Sequence, residues 1–229
     1  MSTLDPQASR ILEARRLGRM EYDRGLELQE RIVARRRRGE VEDQLLLLEH
    51  PHVITLGSAA RREHVLASPD RLGELGIQLT ETGRGGDVTY HGPGQLVGYP
   101  ILDLRPDRKD VHRYLRDLES VLLRVLDSYG LTGERIEGRT GVWCGGAKVA
   151  AIGIRVSSRW ITSHGFALNV STDLAYFETI VPCGLDDRSV TSLEALLGER
   201  VEMERVLART AEVFAEVFQR VLRSPEGLP

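Results

Sequence analysis

Two cysteines in 229 residues are too few for a disulfide framework, so free thiols and a cytoplasmic location are expected. No apolar run approaches the length needed to span a bilayer, and no membrane partner is expected. Residues 1–19 are polar and lack the apolar centre of a signal peptide; they read as an N-terminal extension leading into a helix. A dominant charge is also missing. The net charge of -3 gives no electrostatic case for a nucleic acid partner. No repeat, low-complexity tract or Pro/Gly/Ser linker divides the chain, so residues 20–229 read as one domain. No phosphate-binding P-loop is present: Gly85, Gly86, Gly92 and Gly94 lack the Lys-Ser/Thr ending, and Gly145-Gly146-Ala147-Lys148 is too short. His50 and His52 are separated by Pro51, with no Cys or carboxylate cluster beside them, so no metal is expected.

What is there suits a soluble core: 41% hydrophobic and 28% charged residues. Residues 20–38 have helical spacing through Leu26, Gln29/Glu30 and Val33, and Gly39 stops the helix. The Arg35–Arg38 run suits the negative end of that helix. It reads first as a solvated end, second as a docking patch for an acidic protein. Residues 45–48 and 53–56 are short apolar runs of strand type, and residues 61–75 read as loop plus a short helix. Strands are expected at 77–80 and 96–102, on either side of a loop at 84–95. A helix over 108–129, capped by Asp107, places Val111, Leu115, Leu118, Val121/Leu122 and Val125 on one face. A hairpin turning at Ser157-Ser158-Arg159 joins strands 147–156 and 160–170. Short helical pieces are expected near 172–177 and 189–197, and a final helix over 201–222. Strands and helices without a strict βαβ rhythm predict an α+β fold: a mixed or antiparallel sheet flanked by helices.

Three polar segments stand out from this scaffold. The first is Arg84-Gly85-Gly86-Asp87-Val88-Thr89-Tyr90-His91-Gly92-Pro93-Gly94-Gln95, where glycine lets a ligand approach the main chain. The second is Gly145-Gly146-Ala147-Lys148, opening an apolar strand. The third, Val181-Pro182-Cys183-Gly184, sets a thiol between proline and glycine. A partly desolvated lysine lowers the pKa of a nearby thiol. Both Cys144 and Cys183 are candidates on local chemistry, and Cys, Lys and His together suit acyl or sulfur transfer through a thioester.

These segments carry a resemblance. Residues 84–101, Lys148 with Ala151-Ile152-Gly153, residues 164–170 (His-Gly-Phe-Ala-Leu-Asn-Val) and residues 180–184 (Ile-Val-Pro-Cys-Gly) resemble the lipoyl(octanoyl) transferases. The resemblance implies a fold like the catalytic domains of biotin and lipoate protein ligases. It implies transfer of an octanoyl group from octanoyl-acyl carrier protein to a lysine of lipoyl domains, those of 2-oxoacid dehydrogenase complexes and the glycine cleavage H protein. Cys183 is then the acyl-thioester nucleophile and Lys148 the residue that lowers its pKa. Arg84 to His91, Ala151 to Gly153, and Gly165, Phe166 and Ala167 line the acyl site. Cys144 departs from the pattern, where an apolar residue is expected, and reads as packing.

The chemistry is self-consistent. A thiol near pKa 8.5 is mostly protonated at pH 7, and a drop of roughly 1.5 units makes about half of it thiolate. Thioester exchange is near thermoneutral and amide formation is downhill, so neither ATP nor a cofactor is called for, and ping-pong kinetics follow. The rival on the same fold is an ATP-dependent lipoate or biotin-type ligase, which needs no essential thiol. A silent acyl-protein binding module is a third possibility.

Overall fold

The computed structural model describes residues 10–181 and 189–223. In chain order the first elements are β1 (Arg10–Arg19), α1 (Tyr22–Arg37), β2 (Asp43–Glu49), β3 (Val53–Leu56) and α2 (Pro69–Glu74). β4 (Gln78–Glu81), β5 (Val88–His91), β6 (Gln95–Ile101), α3 (Val111–Asp127), β7 (Gly133–Ile136) and β8 (Arg139–Cys144) follow. The chain continues through β9 (Ala147–Val156), β10 (Thr162–Asn169), α4 (Leu193–Leu197), α5 (Met203–Phe218) and β11 (Arg220–Arg223). One sheet has eight strands in the order β11-β1-β2-β6-β10-β9-β8-β7. β1 runs parallel to both β11 and β2, and the remaining pairs are antiparallel. A second sheet of three strands, β4-β3-β5, is also mixed. This is the α+β arrangement, mixed sheet with flanking helices, that the sequence predicts.

The run Leu45–Leu48 is apolar throughout because both faces of β2 are covered. Leu45 and Leu47 enter the core under α3 and α5; Leu46 and Leu48 enter the core under α1. The small sheet has its own core, built on Ile54, Leu56, Val88 and Tyr90 with Leu72, Phe177 and Ile180.

Five expectations need correction. Residues 10–19 are not a ragged extension but β1, an inner strand of the large sheet. Its period-two signal is only Leu12 and Ala14, diluted by arginines that form ion pairs: Arg10 with Asp43 and Asp107, Arg16 with Glu204. The last helix ends at Phe218, where Gln219 turns left-handed at φ 53°, and β11 follows. There the Arg220 side chain is buried on Asp43 and Asp107. The cap of α3 is Asp110, which accepts the Arg113 N–H at 3.1 Å, because Asp107 is engaged by Arg10 and Arg220. The buried stripe of α1 is Tyr22, Gly25, Gln29 and Ile32, one position off the apolar residues that suggested the helix. Finally, the segment 84–95 is not all loop, since β5 occupies its middle.

The Arg35–Arg38 run is largely committed within the chain. Arg36 pairs with the buried Asp43, while Arg35 and Arg38 pair with Glu40.

Candidate active site

The site is built where the 84–87 turn is folded down onto the β9–β10 hairpin. Backbone bonds from Ser58 N to Arg84 O (2.9 Å), Ala59 N to Gly86 O (3.1 Å) and Gly85 N to Ile154 O (2.8 Å) tie this roof to both sheets. The approach demands glycine. A methyl on Gly57 would stand 2.2 Å from Gly86 O, and one on Gly165 2.2 Å from Gly98 O. Arg84 is a strut of the roof. Its Nη2 donates to Thr55 O at 2.6 Å and to Thr55 Oγ1 at 2.8 Å, and Nη1 donates to Gly85 O at 3.1 Å.

Beneath the roof lies a largely apolar pocket. Of the residues expected in the acyl site, Arg84, Gly86, Asp87, Val88, Thr89, His91, Ala151, Ile152, Gly153, Gly165, Phe166 and Ala167 line it. Gly85 and Tyr90 do not. Gly85 is bound to the β9 backbone, and Tyr90 faces the small core, its hydroxyl sharing a 2.7 Å hydrogen bond with His52 Nδ1. Among the described residues, Tyr22, Val97, Tyr99 and His164 also line the pocket. Val97 and Tyr99 were within reach of alternation along β6, and His164 immediately precedes the Gly165 block. Nothing in the sequence singles out Tyr22 at the start of α1.

Three buried histidines crowd this region, and burial keeps each neutral at pH 7. His50 is pushed down to about 4 by burial, although the Met20 carbonyl partly offsets this. His91 is pushed down to about 3 by burial and then by neighbouring His50, and His164 to about 4 by burial and then by Arg84 and Arg155. A chain of amides sets the His91 ring. Asn169 Nδ2 donates to Thr191 O (2.9 Å), so Asn169 Oδ1 accepts from Gln95 Nε2 (2.9 Å). Gln95 Oε1 is then the acceptor for His91 Nδ1–H at 2.7 Å. His91 therefore carries its proton on Nδ1 and keeps a lone pair on Nε2.

Lys148 lies one step along the hairpin, 7% exposed, in a smaller cavity with Gln95, Ala150, Asn169, Phe177 and Val190. Thr89, Ala151 and Ala167 line this cavity and the apolar pocket alike. The Lys148 ammonium stands 5.2 Å from the centre of the Trp143 ring, a cation–π contact. The backbone of Lys148 is paired on the other side: its N–H donates to Ser189 O and its carbonyl accepts from Thr191 N, both at 2.9 Å. Val181 N–H donates to His64 O at 2.8 Å, and His64 Nδ1 donates to Asp87 Oδ2 at 2.5 Å. Cys183 lies outside the described residues, between these two anchored ends.

Cys144 is elsewhere. It is buried in the core under α3, on the opposite face of β8 from Trp143, and its thiol donates to Thr132 O at 3.3 Å. Burial pushes its pKa up, the wrong direction for a nucleophile. Among the described residues no three His, Cys, Asp or Glu side chains are grouped to hold a metal ion, and no helix is long and apolar enough to cross a membrane.

Residues 21–215 match the lipoyl protein ligase A/B catalytic domain. An octanoyltransferase of Solibacter usitatus is 55% identical over 89% of this chain and 91% of its own. One of Chloroflexus aurantiacus is 50% identical over 90% and 95%. Among solved structures, lipoate-protein ligase A bound with ATP superposes with a TM-score of 0.75 at 18% identity, over 94% of this chain and 88% of that one. The biotin protein ligase of Aquifex aeolicus, in complex with biotin and ATP, gives 0.57 at 15% identity, over 90% and 70%. The two structures share the fold; the two sequence relatives share most of the chain. The protein belongs to the lipoyl protein ligase A/B catalytic domain family.

Proposed function

We propose that this protein is an octanoyltransferase: it moves an octanoyl group from octanoyl-acyl carrier protein to a lysine amine of a lipoyl domain, through a thioester on Cys183. The sequence relatives named octanoyltransferase support the transfer, at about half identity over nearly the whole chain. The observation that carries the chemistry is the position of Lys148. A buried ammonium stands at one end of an apolar pocket, beside the backbone that leads out of the Cys183 segment.

In the first half-reaction the Cys183 thiolate attacks the donor thioester carbonyl. The carbon–sulfur bond to the carrier breaks, and the carrier leaves with a free thiol. A neighbouring ammonium favours the thiolate and can supply the proton to the leaving sulfur. In the second half the lysine amine of the acceptor attacks the Cys183 thioester. An amide forms, and the proton lost by nitrogen returns to the Lys148–Cys183 pair. The acceptors by this reading are the lipoyl domains of 2-oxoacid dehydrogenase complexes and the glycine cleavage H protein, met in the cytoplasm.

The fold is shared with ligases that bind ATP, so the discriminating experiment varies ATP. Purified protein, octanoyl-acyl carrier protein and a lipoyl domain are mixed without nucleotide, and the acceptor is weighed by mass spectrometry. Octanoylation without ATP supports the transferase. Acylation that needs free octanoate and ATP supports a ligase instead.

A further inference from the structure

Trp143 is buried where no apolar core claims it. It is the largest fully buried side chain among the described residues, yet it belongs to none of the three apolar clusters they form. Its indole Nε1 is buried without a hydrogen-bond partner among the same residues. An orphaned donor is costly, so packing alone would favour phenylalanine or leucine at this position. What stands over the ring is the Lys148 ammonium, 5.2 Å from its centre.

The strands are built to bring these two side chains together. Cys144 pairs with Ala147 and Trp143 with Lys148, but Val142 pairs with Ala150. Val149 is therefore an extra residue in β9, a bulge of the kind that re-aims a side chain. Val149 and Ala150 both enter the core under α3 and α5. Lys148, directly opposite Trp143, shares the other face of the sheet with it. Gly141 clears the path of the lysine stem: a methyl there would stand 2.7 Å from Lys148 Cε and 3.3 Å from Nζ.

Resting on the octanoyl-transfer reading above, we infer that Trp143 is a positioning residue: its ring face and the gap at Gly141 hold the Lys148 ammonium in its cavity, and the rate of thioester formation depends on that hold. Trp143 lines neither the apolar pocket nor the Lys148 cavity, so it acts through the lysine and not on the substrate. The attraction of a cation to an aromatic face is greatest over tryptophan and in a desolvated site, and both conditions are met here. A lysine is a point charge on a flexible four-carbon stem, and the ring fixes where that charge rests.

The test is a double-mutant cycle read by the rate of octanoyl adduct formation from octanoyl-acyl carrier protein. The proteins are wild type, Trp143→Leu, Lys148→Ala and the double variant, with Trp143→Phe as the conservative rescue; thermal melts establish that each is folded. Trp143→Leu is expected to slow adduct formation about tenfold at saturating donor, with the donor concentration for half-maximal rate unchanged. Trp143→Phe keeps a ring face and should recover most of the rate. In the Lys148→Ala background the change to leucine should cost nothing further, because the group it positions is gone. Should Trp143→Leu fail to fold, Trp143→Phe carries the same cycle, with a slowing of about two- to threefold. Equal slowing in both lysine backgrounds, or a leucine variant as fast as the phenylalanine one, overturns the positioning role. Wild type that forms no octanoyl adduct overturns the transferase reading itself, and the positioning role with it.

Discussion

His91 Nδ1 lies 2.7 Å from Gln95 Oε1, and this contact decides which ring nitrogen carries the proton. The same glutamine lines the Lys148 cavity, so one side chain links the two halves of the site. Replacing it, as in Gln95→Leu, leaves His91 Nδ1 and Asn169 Oδ1 buried without their partner. A loss of about 1–3 kcal/mol in urea unfolding is expected. Nitrogen NMR of the His91 ring should show the Nδ1–H tautomer in wild type and a mixture in the variant. An unchanged tautomer would contradict the amide chain.

Acid should weaken the fold from near neutral pH downward, through three buried histidines. His50, His91 and His164 are held at about 4, 3 and 4, below the ordinary 6.5. Between pH 6.5 and about 4 the unfolded chain binds protons at these rings and the folded chain does not, so stability falls as pH falls. The urea midpoint is predicted to drop steadily from pH 7 to pH 4.5. A flat midpoint would mean that the rings are not buried neutral.

An added methyl on Gly98 would displace a ring that lines the pocket. It would stand 2.2 Å from Phe166 Cζ. Gly98→Ala should cost about 1–3 kcal/mol by overpacking. Because Phe166 lines the pocket, the displaced ring should also raise KM for the octanoyl donor. Thermal melts and donor titrations check both, and an unchanged KM would mean that Phe166 does not bound the acyl chain.

Asp43 holds the sheet edge together. Its buried carboxylate meets Arg10, Arg36 and Arg220 at 3.0, 2.8 and 3.1 Å and accepts the Asp103 N–H at 3.0 Å. Asp43→Asn leaves three guanidiniums around a neutral amide and buried Arg220 with Asp107 as its remaining carboxylate, and a loss of up to about 3–5 kcal/mol is expected in chemical denaturation. A loss near zero would show that the cluster is solvated.

These particulars show what a sequence can reveal. The hairpin at 147–169 and the buried run 45–48 were legible because periodicity and flanking turns speak locally. β1 was not, because an inner strand that buries only Leu12 and Ala14 and pairs Arg10 and Arg16 with carboxylates distant in sequence looks like a polar tail. β11 was hidden because Val221 continues the helical spacing past Phe218, and only the left-handed Gln219 ends the helix. In the site, the glycine-rich blocks announced themselves, since close backbone approach requires glycine. Tyr22 did not, because its place in the pocket depends on α1 packing across β10. Cys183 and Lys148 were singled out together by the family resemblance; the structure places Lys148, and Cys183 lies outside the described residues.

The most direct measurement is the intact mass of the protein after brief mixing with octanoyl-acyl carrier protein, beside Cys183→Ser, Cys144→Ser and Lys148→Ala. The account predicts a hydroxylamine-labile octanoyl adduct in wild type and Cys144→Ser, none in Cys183→Ser, and slow formation in Lys148→Ala. An adduct that persists in Cys183→Ser, or transfer to the acceptor with no adduct on any variant, would contradict it.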